Sequence, residues 1–139
     1  MHGRMYKHDL GPEIEEWTNR FISAAIEVHR ALGPGYLEAV YLTALCLELT
    51  ARQIPFKRQH HVNLTYRDVV IGKGFCDLLI ADMIVVELKA VAELSPVHEA
   101  QLISYLKMTG CKLGLLINFN VPILKDGLRR LVHPSVLRS

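Results

Sequence analysis

The sequence predicts an α/β domain in which helices flank a mixed β-sheet. Two segments with apolar residues at helical spacing come first, three short runs rich in Val, Ile, Leu and Thr follow, and a third helical segment then leads into a last apolar run. Half of the residues are hydrophobic and 22% are charged, which is too apolar for a disordered chain. We expect one domain over residues 1–139, with residues 1–12 as a flexible N-terminal segment.

The first two helices are divided by the turn residues Gly33, Pro34 and Gly35. In the first helix Pro12 suits an early helical position, and acids crowd the first turn. Apolar residues recur there at three- and four-residue steps: Trp17, Phe21, Ala25 and Val28. In the second helix the core-facing stripe is formed by Leu42, Leu45 and Leu49.

Three strands are predicted next, in RQHHVNLTY, VVIGKGFCDLLI and MIVVELKA. The third helix should begin with Ser95 as N-cap and Pro96 at its first position, with Glu99 placed for a capping contact, and should end at Gly110. LGLLINF then predicts a strand buried on both faces. The segment DGLRRLVH fits either a final strand or an irregular tail.

The order of these elements predicts how the strands pair. The second and third strands are close enough in sequence to form an antiparallel hairpin. The third helix connects the strand around Val85 to the strand around Leu115, and such a crossover is right-handed and makes those two strands parallel. A mixed sheet follows.

Two acids and a lysine lie in the predicted second and third strands, where apolar residues would be less costly. Alternation along a strand puts Glu87 and Lys89 on one face. The face of Asp77 depends on the connecting loop, because antiparallel partners share a face. A two-residue turn at 81–82 would put Asp77 on the other face, whereas an odd loop centred on Asp82 puts it opposite Glu87. The sequence leaves both arrangements open.

If the odd loop forms, two carboxylates lie opposite each other with Cβ atoms roughly 5 Å apart, which is repulsive without compensation. Lys89 would compensate in a simple ion-pair network. Converging carboxylate oxygens are also what Mg²⁺ binds, with water at its remaining positions. Glu38 heads the apolar stripe of the second helix, so we expect it to point inward and not to lie on the wet face. An inward acid favours the cation, although a first-turn acid also interacts with the helix dipole.

Composition and charge predict the cellular compartment and the kind of partner. Three widely spaced cysteines without a C-x-x-C pair argue against a disulfide scaffold or a thiol zinc site and predict a reducing compartment. No signal-like or membrane-spanning run is present, so a cytoplasmic location is expected. The net charge of +2 permits a nucleic-acid partner. Basic residues cluster at two places, which are either solvated faces or part of such an interface: Lys57 and Arg58 beside His60 and His61, and Arg129 with Arg130.

In these motifs the chain resembles the PD-(D/E)XK nucleases, and within them the small bacterial GxxExxY family. The family motif matches as Gly35, Glu38 and Tyr41, and the nuclease motif matches as Asp77 followed by the tripeptide of Glu87, Leu88 and Lys89. The helix motif Q-x-x-x-Y matches as Gln101 and Tyr105. The resemblance covers roughly residues 13–132. The proline of the superfamily's name does not precede Asp77, where Phe75 and Cys76 stand instead.

The resemblance implies a restriction-endonuclease-like fold and a Mg²⁺- or Mn²⁺-dependent nuclease. It does not identify the substrate: nucleic acid is expected, with DNA favoured over RNA and both left open. Asp77, Glu87 and the backbone carbonyl of Leu88 would bind the metal, and Glu38 would reach it directly or through water. Lys89 would act on the attacking water, and Gln101 and Tyr105 would position the scissile strand. His29 either approaches this site or is a satisfied helix-end histidine.

Two other functional interpretations of the sequence stay open, and the oligomeric state is a separate question. A non-catalytic module could keep the nuclease fold and bind nucleic acid or a protein. An ion-pair network in a structural protein would explain the buried charges but not Glu38. A homodimer is plausible for a small apolar chain, and no membrane association is expected.

Overall fold

The computed structural model describes residues 9–137, which form three α-helices and five strands. Their bounds are α1 Pro12–Leu32, α2 Glu38–Ala51, β1 Phe56–Tyr66, β2 Val69–Ile80, β3 Ile84–Lys89, α3 Pro96–Thr109, β4 Leu113–Asn118 and β5 Leu128–Val132. Short 3₁₀ turns at Leu124–Gly127 and Pro134–Leu137 lie beside β5. Most of the predicted flexible segment 1–12 falls outside the described residues, and Pro12 itself already belongs to α1.

The five strands form one mixed sheet in the order β1-β2-β3-β4-β5. The neighbours β1–β2, β2–β3 and β4–β5 are antiparallel, whereas β3 and β4, which α3 connects, are parallel. The predicted α/β class with a mixed sheet is therefore confirmed. The segment DGLRRLVH, whose structure the sequence left open, provides β5 and pairs Leu131 with Gly114 of β4.

The sheet separates two apolar cores. On one face α1 and α2 pack with alternate residues of β2 and β3, such as Ile80 and Ile84. On the other face α3 packs with residues such as Leu79 and Val85. The central strand β4 is buried along its whole length, as its continuous apolar run predicts.

The start of α3 differs from the prediction in one contact. Ser95 is the N-cap, but His98 completes the capping box: its Nδ1 accepts a hydrogen bond from the Ser95 amide at 3.1 Å. The expectation that Glu99 would make this contact was wrong. Glu99 instead forms an ion pair with Arg129 of β5, because one further residue along the helix turns it toward that strand. Gly110 ends the helix with φ 79°, a left-handed conformation that glycine adopts without strain.

The faces of the β1–β2 hairpin change over within the strands. Leu78 packs with α1 and α2, and Leu79 packs with α3. Strict alternation would put Cys76 on the side of Leu78, yet Cys76 packs with α3. The change occurs at Asp77 and at Gln59 of β1, which has φ 51° and lies between two regular cross-strand pairs. Residues 60–76, here called the outer hairpin, are therefore turned over relative to the rest.

Two expectations from composition concern membrane-spanning helices and the state of the cysteines. Within residues 9–137 no helix is both long and apolar enough to cross a membrane. All three cysteines are free thiols.

Candidate active site

The loop between β2 and β3 sets the register of the site. It consists of residues 81–83 with Asp82 at its centre, and Ala81 and Asp82 have φ values of 52° and 57°. The pairs Leu78–Val86 and Ile80–Ile84 follow from this odd loop. Continuing the same register by one residue sets Asp77 opposite Glu87, so the second of the two predicted arrangements forms.

Asp77 and Glu87 are joined by hydrogen bonds that run between side chains and backbone. The Asp77 amide donates to Glu87 Oε1 at 3.0 Å, and the Leu88 amide donates to Asp77 Oδ2 at 2.7 Å. Past the pair Leu78–Val86 the carboxylates thus take the positions that backbone carbonyls hold in the regular ladder. Both carboxylates are fixed by the strands themselves.

Burial and mutual repulsion make these two acids weak. Glu87 is only 7% exposed, and burial, followed by the neighbouring Asp77 carboxylate, raises the pKa of Glu87 to about 8. Burial is also the main cause that raises the pKa of Asp77, and the carboxylate of Glu38 adds to it. The ammonium of Lys89 lowers the pKa of both acids but does not offset their burial. A positive charge beside the two carboxyl groups would lower the free-energy cost of ionising both of them.

Glu38 is the first residue of α2 and is exposed. The expectation that it would not lie on the wet face was therefore wrong: the core begins one turn later, with Tyr41 and Leu42, so the helix end extends beyond it. Its charge nevertheless acts on Asp77 and Glu87, whose pKa values it helps to raise. Glu38 is therefore near enough to act electrostatically on the carboxylate pair from the exposed start of α2.

A short loop before α2 fixes the position of Glu38. Gly35 has φ 109°, which favours glycine. The buried Tyr41 donates its hydroxyl proton to the Gly33 carbonyl at 2.6 Å and accepts from the Tyr36 amide at 3.2 Å. Its ring stacks on Phe119 at a centroid distance of 4.6 Å. The spacing of Gly35, Glu38 and Tyr41 thus has a structural reason, since two of these residues hold the loop that positions the third.

Lys89 ends β3 and is half-buried. It pairs in register with Asn118 of β4, and its carbonyl accepts a hydrogen bond from the Phe119 amide at 2.8 Å. The sequence reading missed Asn118, which is 2% exposed and bonds both the amide and the carbonyl of Val91. A polar residue at the end of an apolar run was the available signal. Asn118 secures the backbone just beyond Lys89.

Tyr105 and Gln101 approach from α3. Tyr105 is largely buried, and its pKa is raised by burial first and by the Glu87 carboxylate second. Gln101 is exposed, and its Nε2 lies 3.4 Å from the Tyr105 hydroxyl oxygen. Tyr105 therefore lies beside the carboxylates and Gln101 forms its outer neighbour, while His98 is engaged in the helix cap.

Sequence comparison fits this geometry. A family model described as the PD-(D/E)XK nuclease superfamily matches residues 15–131. The chain belongs to the PD-(D/E)XK nuclease superfamily. The match includes every residue of the cluster formed by Asp77, Glu87 and Lys89 and the parts of α2 and α3 that face it. No curated protein and no solved structure matches the chain significantly.

His29 has a structural position in this superfamily member. It is buried, its ring lies near Phe119, and its Nε2 donates a hydrogen bond to the Val121 carbonyl at 2.7 Å. Of the two readings of His29, the satisfied helix-end histidine matches these contacts.

The candidate metal site contains a pair of carboxylates. Within residues 9–137 no three His, Cys, Asp or Glu side chains are grouped tightly enough to hold a metal ion, so the convergence of three carboxylates expected from the sequence is not formed. Asp77 and Glu87 do form a pair, and the Leu88 carbonyl belongs to the same strand end. Hard oxygen donors of this kind suit Mg²⁺, which keeps several water ligands. The residues present fit such an ion.

Proposed function

We propose that this protein is a divalent-metal-dependent nuclease that hydrolyses phosphodiester bonds, in DNA rather than RNA. The observation that carries the proposal is the pair of Asp77 and Glu87 in a superfamily of nucleases. Two carboxylates held side by side, one of them buried with a pKa of about 8, cost folding free energy that a purely structural site would avoid. A cation between them would offset that cost.

In this proposal Mg²⁺ or Mn²⁺ is held by Asp77, Glu87 and the Leu88 carbonyl, and Glu38 reaches it directly or through water. A bound divalent ion polarises phosphoryl oxygens and lowers the pKa of bound water. The raised pKa of Glu87 means that this carboxyl must lose a proton before it can act as a ligand near neutral pH. Metal affinity should therefore rise with pH up to about 8.

The remaining polar groups have roles of their own. Lys89 would orient or deprotonate the attacking water and stabilise the charge that develops on the phosphate, as its position beside both acids allows. Gln101 and Tyr105 would donate hydrogen bonds to phosphate oxygens or to a water molecule and so hold the scissile strand.

We also propose that the chain is a GxxExxY protein within the superfamily. The support is the motif of Gly35, Glu38 and Tyr41 together with the bonds of Tyr41 to the loop before Glu38. These contacts give the motif one purpose, which is to present an acid to the neighbouring carboxylates.

A second candidate function is a non-catalytic module that binds nucleic acid. The observation in its favour is that Asp77 Oδ2 and Glu87 Oε1 both accept hydrogen bonds from backbone amides, while Glu38 is exposed. In such a module these backbone amides would hold the two carboxylates without a metal ion.

One experiment separates the two functions. Plasmid, linear duplex and single-stranded DNA are incubated with the full chain and Mg²⁺ or Mn²⁺, beside Asp77→Asn and the matched control Asp126→Asn, an exposed acid outside the site. Cleavage by the unmutated protein and by the control, with none by Asp77→Asn, supports the nuclease. Metal-dependent cleavage that survives in Asp77→Asn contradicts it.

Metal binding provides a second readout. Thermal unfolding is followed with and without Mg²⁺, because a ligand at 100 times its Kd stabilises the native state by about 2.7 kcal/mol. Stabilisation of the control but not of Asp77→Asn supports a metal at this site. DNA binding by all three proteins without cleavage or metal stabilisation supports the non-catalytic module.

A further inference from the structure

The outer hairpin has one face fixed against α3 and one face in solvent. Val62 and Cys76 are buried in the core with α3 and hold the hairpin in place. Four residues near them on the strands alternate in sequence with the residues that pack on α3 and are exposed. This exposed hairpin face consists of two cross-strand pairs, His61 with Phe75 and Asn63 with Lys73.

The chemistry of the exposed hairpin face suits a nucleic-acid strand. Phe75 is 46% exposed, and its ring contacts the His61 ring edge-on at a centroid distance of 6.2 Å. Lys73 lies two residues away on the same strand and face, opposite Asn63. The face thus offers an aromatic ring for a base, a cation for a phosphate and a polar amide, and it contains no acid.

The charge of the surrounding elements supports the same ligand. The hairpin over residues 56–80, turn included, carries four lysines and arginines and two acids, one of which is Asp77. The helices α1 and α2 carry six glutamates and two arginines. A polyanion is therefore attracted to the hairpin and repelled by the two helices.

The position of Phe75 connects this face to the proposed active site. Phe75 precedes Asp77 by two residues in β2, which is about 7 Å along the strand. In the loop before α2, Tyr36, which is 49% exposed, precedes Glu38 by two residues. Each of these two acids is therefore preceded, two residues earlier in the sequence, by an exposed aromatic residue.

We propose that the exposed hairpin face binds a single strand of nucleic acid, with Phe75 stacked on a base and Lys73 paired with a phosphate. The inference rests on the proposed nuclease function and names its substrate form. Bases inside a duplex are covered by their neighbours, so a side chain can stack only on unpaired bases or ends. The protein therefore selects single-stranded or unpaired regions.

The test is equilibrium binding of labelled oligonucleotides, single-stranded or duplex and of equal length, followed by fluorescence anisotropy. All proteins carry Asp77→Asn to prevent cleavage. Phe75→Ala should weaken single-strand binding about 5- to 100-fold, the range for one lost stacking contact. Phe75→Trp should bind at least as tightly as the parent. The matched control is Tyr66→Ala, which removes an exposed aromatic ring at the hairpin tip and should leave affinity unchanged.

The phosphate contact has its own signature. Lys73→Ala should reduce the slope of log K against log salt concentration by about 0.7, the value for one phosphate of a single strand. The control Lys112→Ala removes an exposed lysine outside the face and should leave the slope unchanged. Far-UV circular dichroism and thermal melts confirm that each variant is folded.

Single-strand binding that is unaffected by Phe75→Ala, or duplex binding that falls by the same factor, would overturn this inference. The two proposals fail separately. A protein that shows the Phe75 effect but never cleaves contradicts only the nuclease function, and a nuclease without the Phe75 effect contradicts only the present inference.

Discussion

The two ends of the β2–β3 ladder show how the molecule divides stability from chemistry. At the loop end the pairs from Leu78–Val86 to Ile80–Ile84 are buried and apolar and follow a regular antiparallel register. One pair further on, the Glu87 carboxylate accepts from the Asp77 amide and the Asp77 carboxylate accepts from the Leu88 amide, and Lys89 follows. The same two strands thus change from core to candidate site within a single residue pair.

The difference teaches that the polar end depends on the apolar end. Burying ionised carboxylates destabilises the folded state. The strands can hold them only because apolar packing at the loop end already stabilises both strands. Changes at the apolar end should therefore alter stability, and changes at the polar end should alter activity or the pH dependence of stability. Four substitutions test this division.

The largest effect is expected at the polar end, from Lys89→Ala. Loss of the ammonium beside both acids should reduce DNA cleavage about 100- to 1,000-fold, the usual cost of removing one group that stabilises transition-state charge. Single-turnover cleavage in Mg²⁺ measures it. The control Lys112→Ala should cleave at the unmutated rate. If Lys89→Ala reduced the cleavage rate less than tenfold, Lys89 would have a structural role and no catalytic one.

At the apolar end, Ile80→Ala should lower the free energy of unfolding by about 2–5 kcal/mol, because a fully buried side chain is replaced by a cavity. Urea denaturation measures the change. Ile71→Ala, at an exposed position of the same strand, should change stability little. Cleavage per folded molecule should be unchanged in both, and a large activity loss in Ile80→Ala would contradict the division.

Glu87→Gln tests the cost of the buried acid. The pKa of Glu87 is raised from 4.5 to about 8 in the folded protein, so between these pH values only the folded state holds the proton. The contribution of the Glu87 carboxyl group to the free energy of unfolding is fully present below pH 4.5 and is lost as the pH rises to about 8. The loss in metal-free protein should be on the order of a few kcal/mol.

The measurement is urea denaturation with a chelator at pH 5 and at pH 8.5. Glutamine keeps an oxygen that accepts from the Asp77 amide but has no proton to lose. Glu87→Gln should therefore be more stable than the unmutated protein at pH 8.5, and its stability should fall less between the two pH values. An equal pH dependence in both proteins would show that Glu87 is not buried as described.

The smallest effect is expected from Tyr41→Phe, which removes the hydrogen bonds to Gly33 and Tyr36 but keeps the ring packing. Stability should fall by about 2 kcal/mol, from two bonds of about 1 kcal/mol each. Cleavage should fall a few-fold because the loop before Glu38 is loosened. Tyr66→Phe, at an exposed ring, is the control. Equal stability and equal cleavage in the two variants would show that the Tyr41 hydroxyl does not help to position Glu38.

Much of the fold could be predicted because it rests on local patterns. Apolar periodicity gives α1 and α2, and the length of LGLLINF gives the buried strand β4. The candidate cluster could be predicted up to one choice, the length of the loop around Asp82, since two non-glycine residues with positive φ leave no clear sequence signal.

Other features could not be predicted because distant contacts determine them. The φ of 51° at Gln59 is not predicted by its local sequence. The change of face in the outer hairpin could therefore not be predicted either. Glu99 was expected to cap α3, but the partner Arg129 lies thirty residues away and competes for it. The inward aim of Glu38 was inferred from its helix face alone, and the point at which α2 leaves the core decided its exposure.

The turned-over hairpin links the two sides of the sheet. The inner part of β2 contributes Leu78 to the core with α1 and α2, whereas two residues further out Cys76 belongs to the core with α3, so the same continuous pair of strands is shared by both helical layers. Neither layer can detach without disturbing the other, and melting should occur as one cooperative transition. Because Asp77 lies at the crossover itself, the site should keep its shape until the whole molecule melts.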